Sequence, residues 1–217
     1  MTDAEILAWR KKIQGEALVE KMERRGFKAV YVPTAAEAKT AVLSLLPPDG
    51  TIALLGSQTM NQLGVYAYLR QSGRDLVDHA TKAVGLPMAE ARHYMRGVFT
   101  AAAMLTSANA VDQEGRIYNI DGNGNRVAGM IFGPDSVVVA IGLNKLTATP
   151  EEAWRRARNV AAPMNCKRLD YKNPCAQSGH CHDCQTTTSI CSYFITIDRS
   201  RPEGRIKVVL VGEDLGY

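Results

Sequence analysis

The apolar positions of this chain fall into short runs, some spaced for helices and others for strands. Between residues 4 and 25, Ile6, Leu7, Ile13, Leu18 and Met22 fall near one helical face, and Gly26 ends the run. Phe27 to Val32 reads as a short strand. Thr34 and Glu37 form a capping box that opens a helix stopping before Pro47-Pro48. Thr51 to Leu55 is a buried strand that runs into Gly56-Ser57-Gln58-Thr59, with a helix from there to Gln71. Asp75 to Asp78 reads as a strand, Met88 to Phe99 as a helix, and Ala103 to Thr106 as a strand ending in Ser107-Ala108-Asn109. Strands alternating with helices predict an α/β protein with a parallel sheet.

The middle of the chain changes character. Arg116 to Ile120 and Arg126 to Phe132 flank Asp121-Gly122-Asn123-Gly124-Asn125, which predicts a hairpin, because Asp, Asn and Gly tolerate positive φ. The turn starts like a calcium loop, but Arg126 and Phe132 stand where that loop needs a glycine and a glutamate. Val137 to Ile141 is uninterrupted and apolar, as in a parallel core strand. Thr149-Pro150-Glu151-Glu152 caps a helix running to Ala162. Residues 166 to 191 read as a loop, and Tyr193 to Ile197 and Ile206 to Val211 as two closing strands joined at Arg201 to Gly204. The expected organisation is an α/β domain over residues 1–165 and a cysteine-rich extension over 166–217 that docks back with two strands.

Composition adds exclusions. The 217 residues are 46% hydrophobic and 22% charged, enough apolar material for a full core without cross-links. The net charge of +4 is spread over scattered basic residues, with only 4 Phe and no basic tract, which argues against nucleic acid as a partner. The opening Met1-Thr2-Asp3-Ala4-Glu5 is acidic, unlike a secretory signal, and no apolar run reaches the length of a membrane span. A cytoplasmic protein is expected, where clustered thiols read as ligands rather than disulfides.

All 5 cysteines lie in the extension: Cys166, Cys175, Cys181, Cys184 and Cys191. From Cys175 the spacing is Cys-x5-Cys-x2-Cys-x6-Cys. Zinc ribbons use two Cys-x2-Cys knuckles. One pair with two singletons suits a [4Fe–4S] cluster, whose corners accept ligands from a wrapping loop. Structural zinc is the alternative, with His180 and His182 as further donors or as plain surface imidazoles. Cys166, nine residues upstream of Cys175, stands outside the main set as a spare thiol or a fifth candidate ligand. Elsewhere, Gly56 and Ser57 at a strand-to-helix junction suit an anion. Asn109, Asn144 and Lys145 follow strand ends, where α/β proteins place their sites, and Arg126 is a cation just past a polar turn.

Thr106-Ser-Ala-Asn-Ala110, the stretch from Gly115 through Asp121 and Arg126 to Gly129, and Gly142-Leu-Asn-Lys145 together resemble the LUD-domain (lactate utilization) family. Gly56-Ser57 and Arg156 to Asn165 fit as well, so the resemblance covers nearly the whole chain. It implies a fold similar to CoA transferases, ribose-5-phosphate isomerase and glucosamine-6-phosphate deaminase. It also implies a link to lactate oxidation alongside iron–sulfur redox partner proteins. The tail with Pro174-Cys175, Cys181-x2-Cys184 and Ile190-Cys191 marks a stand-alone branch. CoA transfer is not expected, because Ser107-Ala108-Asn109 offers no nucleophilic carboxylate. The expected protein holds a [4Fe–4S] cluster on Cys175, Cys181, Cys184 and Cys191. Gly56, Ser57, Asn109, Arg126, Asn144 and Lys145 would line a cleft for a small carboxylate, such as a hydroxy acid, or a phosphorylated ligand. The alternative is a non-catalytic accessory protein stapled by zinc. A homodimer is an expectation of fold analogy alone.

Overall fold

The computed structural model describes all 217 residues. Helix α1 (Asp3–Arg24) starts at a complete capping box: Thr2 Oγ1 accepts the Glu5 N–H, and the Glu5 carboxylate accepts the Thr2 N–H at 2.7 Å. Gly26, at φ 76°, turns the chain into β1 (Lys28–Val32). Thr34 caps α2 (Ala35–Ser44), and β2 (Ile52–Leu54) follows. The single helix expected from Ser57 to Gln71 is two, α3 (Gln58–Gln62) and α4 (Val65–Gln71), because Gly64 adopts φ 68° between them. A side chain pays for that left-handed conformation. Gly64→Ala is therefore expected to lower stability by about 1 kcal/mol, read as a shift in the urea midpoint.

Strand β3 (Leu76–Asp78) leads into α5 (His79–Lys82), a short helix that Asp78 caps by accepting the Ala80 N–H at 3.1 Å. Helix α6 (Met88–Met95) tightens into a 3₁₀ turn over Arg96–Thr100, so the expected helix to Phe99 ends in a different winding. Strands β4 (Ala103–Ser107), β5 (Ala110–Asp112) and β6 (Ile117–Asp121) come next.

The expected hairpin across Asp121–Asn125 does not form. Residues Asn125–Phe132 are helix α7. The Asp121 carboxylate accepts the N–H groups of Asn123, Gly124 and Val127, which starts a helix instead of returning a strand. Val127 and Met130, three apart, are the buried face, while Phe132 is exposed. The hairpin lies one step earlier, where β5 and β6 pair antiparallel with Ala110 opposite Tyr118.

After β7 (Val137–Gly142) and β8 (Leu146–Thr147) comes α8 (Pro150–Arg156). A π-helical turn over Ala157–Ala161 then passes into α9 (Ala162–Arg168). The helix therefore does not stop at Ala162. Pro163 has no N–H to donate inside this continuous run, and it follows directly on the π-helical turn, a local rewinding at which a helix accommodates a lost bond. The segment expected to be all loop contains α10 (Pro174–Ser178), ended by Gly179 at φ 79°. Strands β9 (Tyr193–Ile197) and β10 (Ile206–Val211) have the expected boundaries.

Six strands form a wholly parallel sheet in the order β1-β10-β7-β4-β2-β3. The second sheet runs β8-β5-β6-β9. Strand β10 sits between β1 and β7, and β9 edges the small sheet beside β6, so residues 193–211 belong to both sheets and to their core. Adjacent residues of β7 point to opposite faces, and both faces are covered, as parallel sheets require. Val139 and Ile141 pack with Leu18, Met22 and Phe27, whereas Val138 and Ala140 pack with Val42, Met60 and Leu69. No helix is long and apolar enough to cross a membrane.

Candidate functional site

The central strands β7, β4 and β2 are neighbours, and their C-terminal ends deliver Lys145, Ser107 and Gly56 to one place. An outer cleft of about 300 Å³ is lined by Gly56, Asn109, Asp121, Arg126, Asn165 and Arg168, among others. It continues into an inner cavity of about 80 Å³ bounded by Ser57, Ser107, Lys145 and Tyr217.

Lys145 is 2% exposed. Its Nζ donates to Thr59 Oγ1 at 2.9 Å, Ser107 Oγ at 3.0 Å and the Ala108 carbonyl at 3.0 Å. None of these partners is charged. Burial lowers the ammonium pKa to about 7, and the nearby charges of Arg156 and Arg126 push the same way.

Arg126 is a clamp. Its guanidinium donates to the carbonyls of Ser107 and Ile120 and to the side chains of Asn119 and Asn109, and its Nε lies 3.5 Å from Asp121. The four Nη N–H groups are engaged and Nε is turned to Asp121, so Arg126 offers the cleft positive charge rather than free donors. Burial also lowers its pKa. Asn109 accepts the Ile120 N–H at 2.8 Å and so holds β6 against the cleft. Ser57 Oγ accepts the Met60 N–H, which caps α3. Asn144 is not among the lining residues. Its amide bonds Leu215 and Gly216 and seats the last residues beside Lys145. Asp121 is the carboxylate of the cleft lining, and it is committed to α7 and Arg126.

Sequence reasoning passed over Arg168, Asn165 and Tyr217 as site residues. Asn165 and Arg168 are one turn apart on α9, with Arg168 Nη2 donating to Asn165 Oδ1 at 2.7 Å. Finding them required the helix to continue beyond Pro163. Arg156 fixes the helix to the site through the carbonyls of Asn144 and Asn109.

The second site is the cysteine loop. Cys175, Cys181, Cys184 and Cys191 line one cavity of about 340 Å³, together with Arg158, His182 and Phe194. All are free thiols. No three His, Cys, Asp or Glu side chains close around one point as ligands of a single ion do. The Asp183 N–H donates to Cys181 Sγ at 3.3 Å, with Asp183 in the left-handed region at φ 52°. Burial pushes the thiols of Cys175 and Cys191 up to about 11, and the gathered sulfurs add to it. Bringing four thiolates together unaided is uphill, and a bound cationic group reverses that. Cys166 is buried on α9 beside Cys175 and outside the cavity lining. His180 stacks on His182, with ring centroids 4.4 Å apart, and does not line the cavity.

Asn173 organises this loop. Its Oδ1 accepts from Thr186 and Thr188, and its Nδ2 donates to the Thr188 carbonyl at 2.9 Å and to Cys166 Sγ. Asn173→Ala removes these bonds from a buried position, while the exposed threonines turn to solvent, and is expected to lower stability by about 1 kcal/mol, measured by thermal unfolding. The two sites are contiguous: Ala162 lines both, and Ile190 of the outer cleft precedes Cys191.

The family described as LUD domain matches over residues 15–211. Among solved structures, a DUF162-family protein from Deinococcus radiodurans aligns with a TM-score of 0.51 at 16% identity, covering 94% of this chain and 98% of that one. At that identity the likeness is one of fold. No curated protein matches the chain.

Proposed function

The chain belongs to the LUD-domain family, and from that premise we propose a lactate-utilization-type protein that holds a [4Fe–4S] cluster on Cys175, Cys181, Cys184 and Cys191 beside a cleft for a small carboxylate such as a hydroxy acid. The observation that carries this reading is that four cysteines, spread over 17 positions of one loop, face a single cavity that shares a wall with an arginine-lined cleft. The donor set suits the group. Thiolates are the ligands of such clusters, and ligands to the outer corners of a cubane stand further apart than ligands to one ion. When bound on four cysteines, a cluster of this kind supplies one-electron transfer, because each iron then carries its own thiolate.

The chain's own residues do the rest. Arg168, steadied by Asn165, faces the outer cleft with N–H donors for a carboxylate. Arg126 adds a fixed positive charge behind it. The backbone at Gly56 lets a ligand come close to the end of β2, since His79 is the nearest side chain there. Asp121 is held away from the ligand by its own bonds, so the cleft carries no free carboxylate to repel an anion.

Anaerobic purification with iron, sulfide and zinc analysis tests the reading. The expected result is a brown protein with about four irons and four sulfides per chain. A colourless protein with about one zinc per chain overturns it and makes the loop a structural staple of an accessory protein.

A further inference from the structure

The amine of Lys145 has no task in the reading above. As an anion's counterion it is badly placed, because it is buried, surrounded by uncharged partners and close to Arg126 and Arg156. A salt-bridging lysine would sit beside a carboxylate, and none is here. It does border the inner cavity, whose other walls are Ser57, Asn109, Arg126, Arg168 and Tyr217. An amine at the floor and a guanidinium toward the mouth match the two ends of one small molecule. One end is a carbonyl carbon and the other a carboxylate.

We propose that Lys145 captures a small 2-oxo acid covalently, as a Schiff base on Nζ at the floor of the inner cavity, with the acid's carboxylate toward Arg168. This rests on the reading of the cleft as a carboxylate site and adds the chemical class of its occupant. In the step, the Nζ lone pair forms a bond to the carbonyl carbon, and a proton moves from nitrogen to the former carbonyl oxygen to give a carbinolamine. The C–O bond then breaks, the remaining amine proton leaves with the hydroxyl as water, and a C=N bond remains. No oxidant or reductant is consumed. The hydroxyls of Ser107 and Thr59, at 3.0 and 2.9 Å from Nζ, are placed to pass those protons. A desolvated lysine beside other cations is the setting in which an amine is free to attack near neutral pH, and the ammonium pKa of about 7 agrees.

The test uses the protein as purified under anaerobic conditions. It is incubated with pyruvate and cyanoborohydride, then analysed by intact mass and peptide mapping. A parallel calorimetric titration with pyruvate omits the reductant. The expected result is a single saturable adduct of one reduced pyruvate per chain, mapped to Lys145 and absent from Lys145→Arg. Binding heat without an adduct, or an adduct scattered over surface lysines, overturns covalent capture and leaves the carboxylate site standing. Neither heat nor adduct removes both. Mapping on the wild-type chain decides the matter even if the variant folds poorly.

Discussion

Cys184→Ser is expected to lose its visible absorption and most of its iron, whereas Cys166→Ser keeps both. The two cysteines differ in place, not in kind. Cys184 lines the cavity with Cys175, Cys181 and Cys191, while Cys166, next to Cys175, is held on α9 by Asn173 outside that lining. Serine is nearly isosteric but offers a hard, strongly basic oxygen where a soft thiolate is needed. The Cys184 side chain is partly exposed and has one weak bond, from Thr186 Oγ1 at 3.9 Å, so the substitution disturbs little else. Iron content and the spectrum are measured on both variants side by side. An intact band in Cys184→Ser, or equal loss in the two, would defeat the ligand assignment.

The second large effect is on stability and comes from Lys145. In the unfolded chain its amine titrates at the ordinary value of 10.5, and in the folded protein at about 7. Below pH 7 both states carry the proton, and the folded state bears the full cost of a buried charge. Between about 7 and 10.5 the unfolded chain binds more protons than the folded one, so stability rises with pH. Above 10.5 both are neutral and the effect is flat. Lys145→Met has a similar shape and no charge, so it lacks this term. From pH 7 to pH 9 the wild type is expected to gain about 2 kcal/mol relative to Lys145→Met, measured as the difference between their urea unfolding curves. A difference that stays constant with pH would mean that the amine is solvated in the folded protein.

The cysteine set was legible because it is local. Four cysteines on one segment need no distant element to bring them to one cavity, only the turns at Gly179 and Asp183. The cleft was legible in part. Gly56, Ser57, Asn109, Arg126 and Lys145 follow strand ends and do converge there. Asn144, adjacent to Lys145, instead secures the last residues of the chain. Nothing in the local pattern separates the two, because which neighbour points inward depends on the 3₁₀ turn Leu143–Lys145 after β7.

The sequence by itself determined the alternation of elements, the helix caps at Thr34 and Thr149, and the buried run of β7. These follow from backbone hydrogen bonding and from burial on two faces, which act over a few residues. Only the tertiary structure decided that Asn125–Phe132 is a helix, since a short apolar run suits either state until its neighbours choose a face. It also decided that Arg168 and Tyr217 meet a lysine far from both in the chain, and that this lysine is dry. Desolvation depends on how completely three strand ends and the last residues close over an amine, and that closure exists only once the sheet has formed.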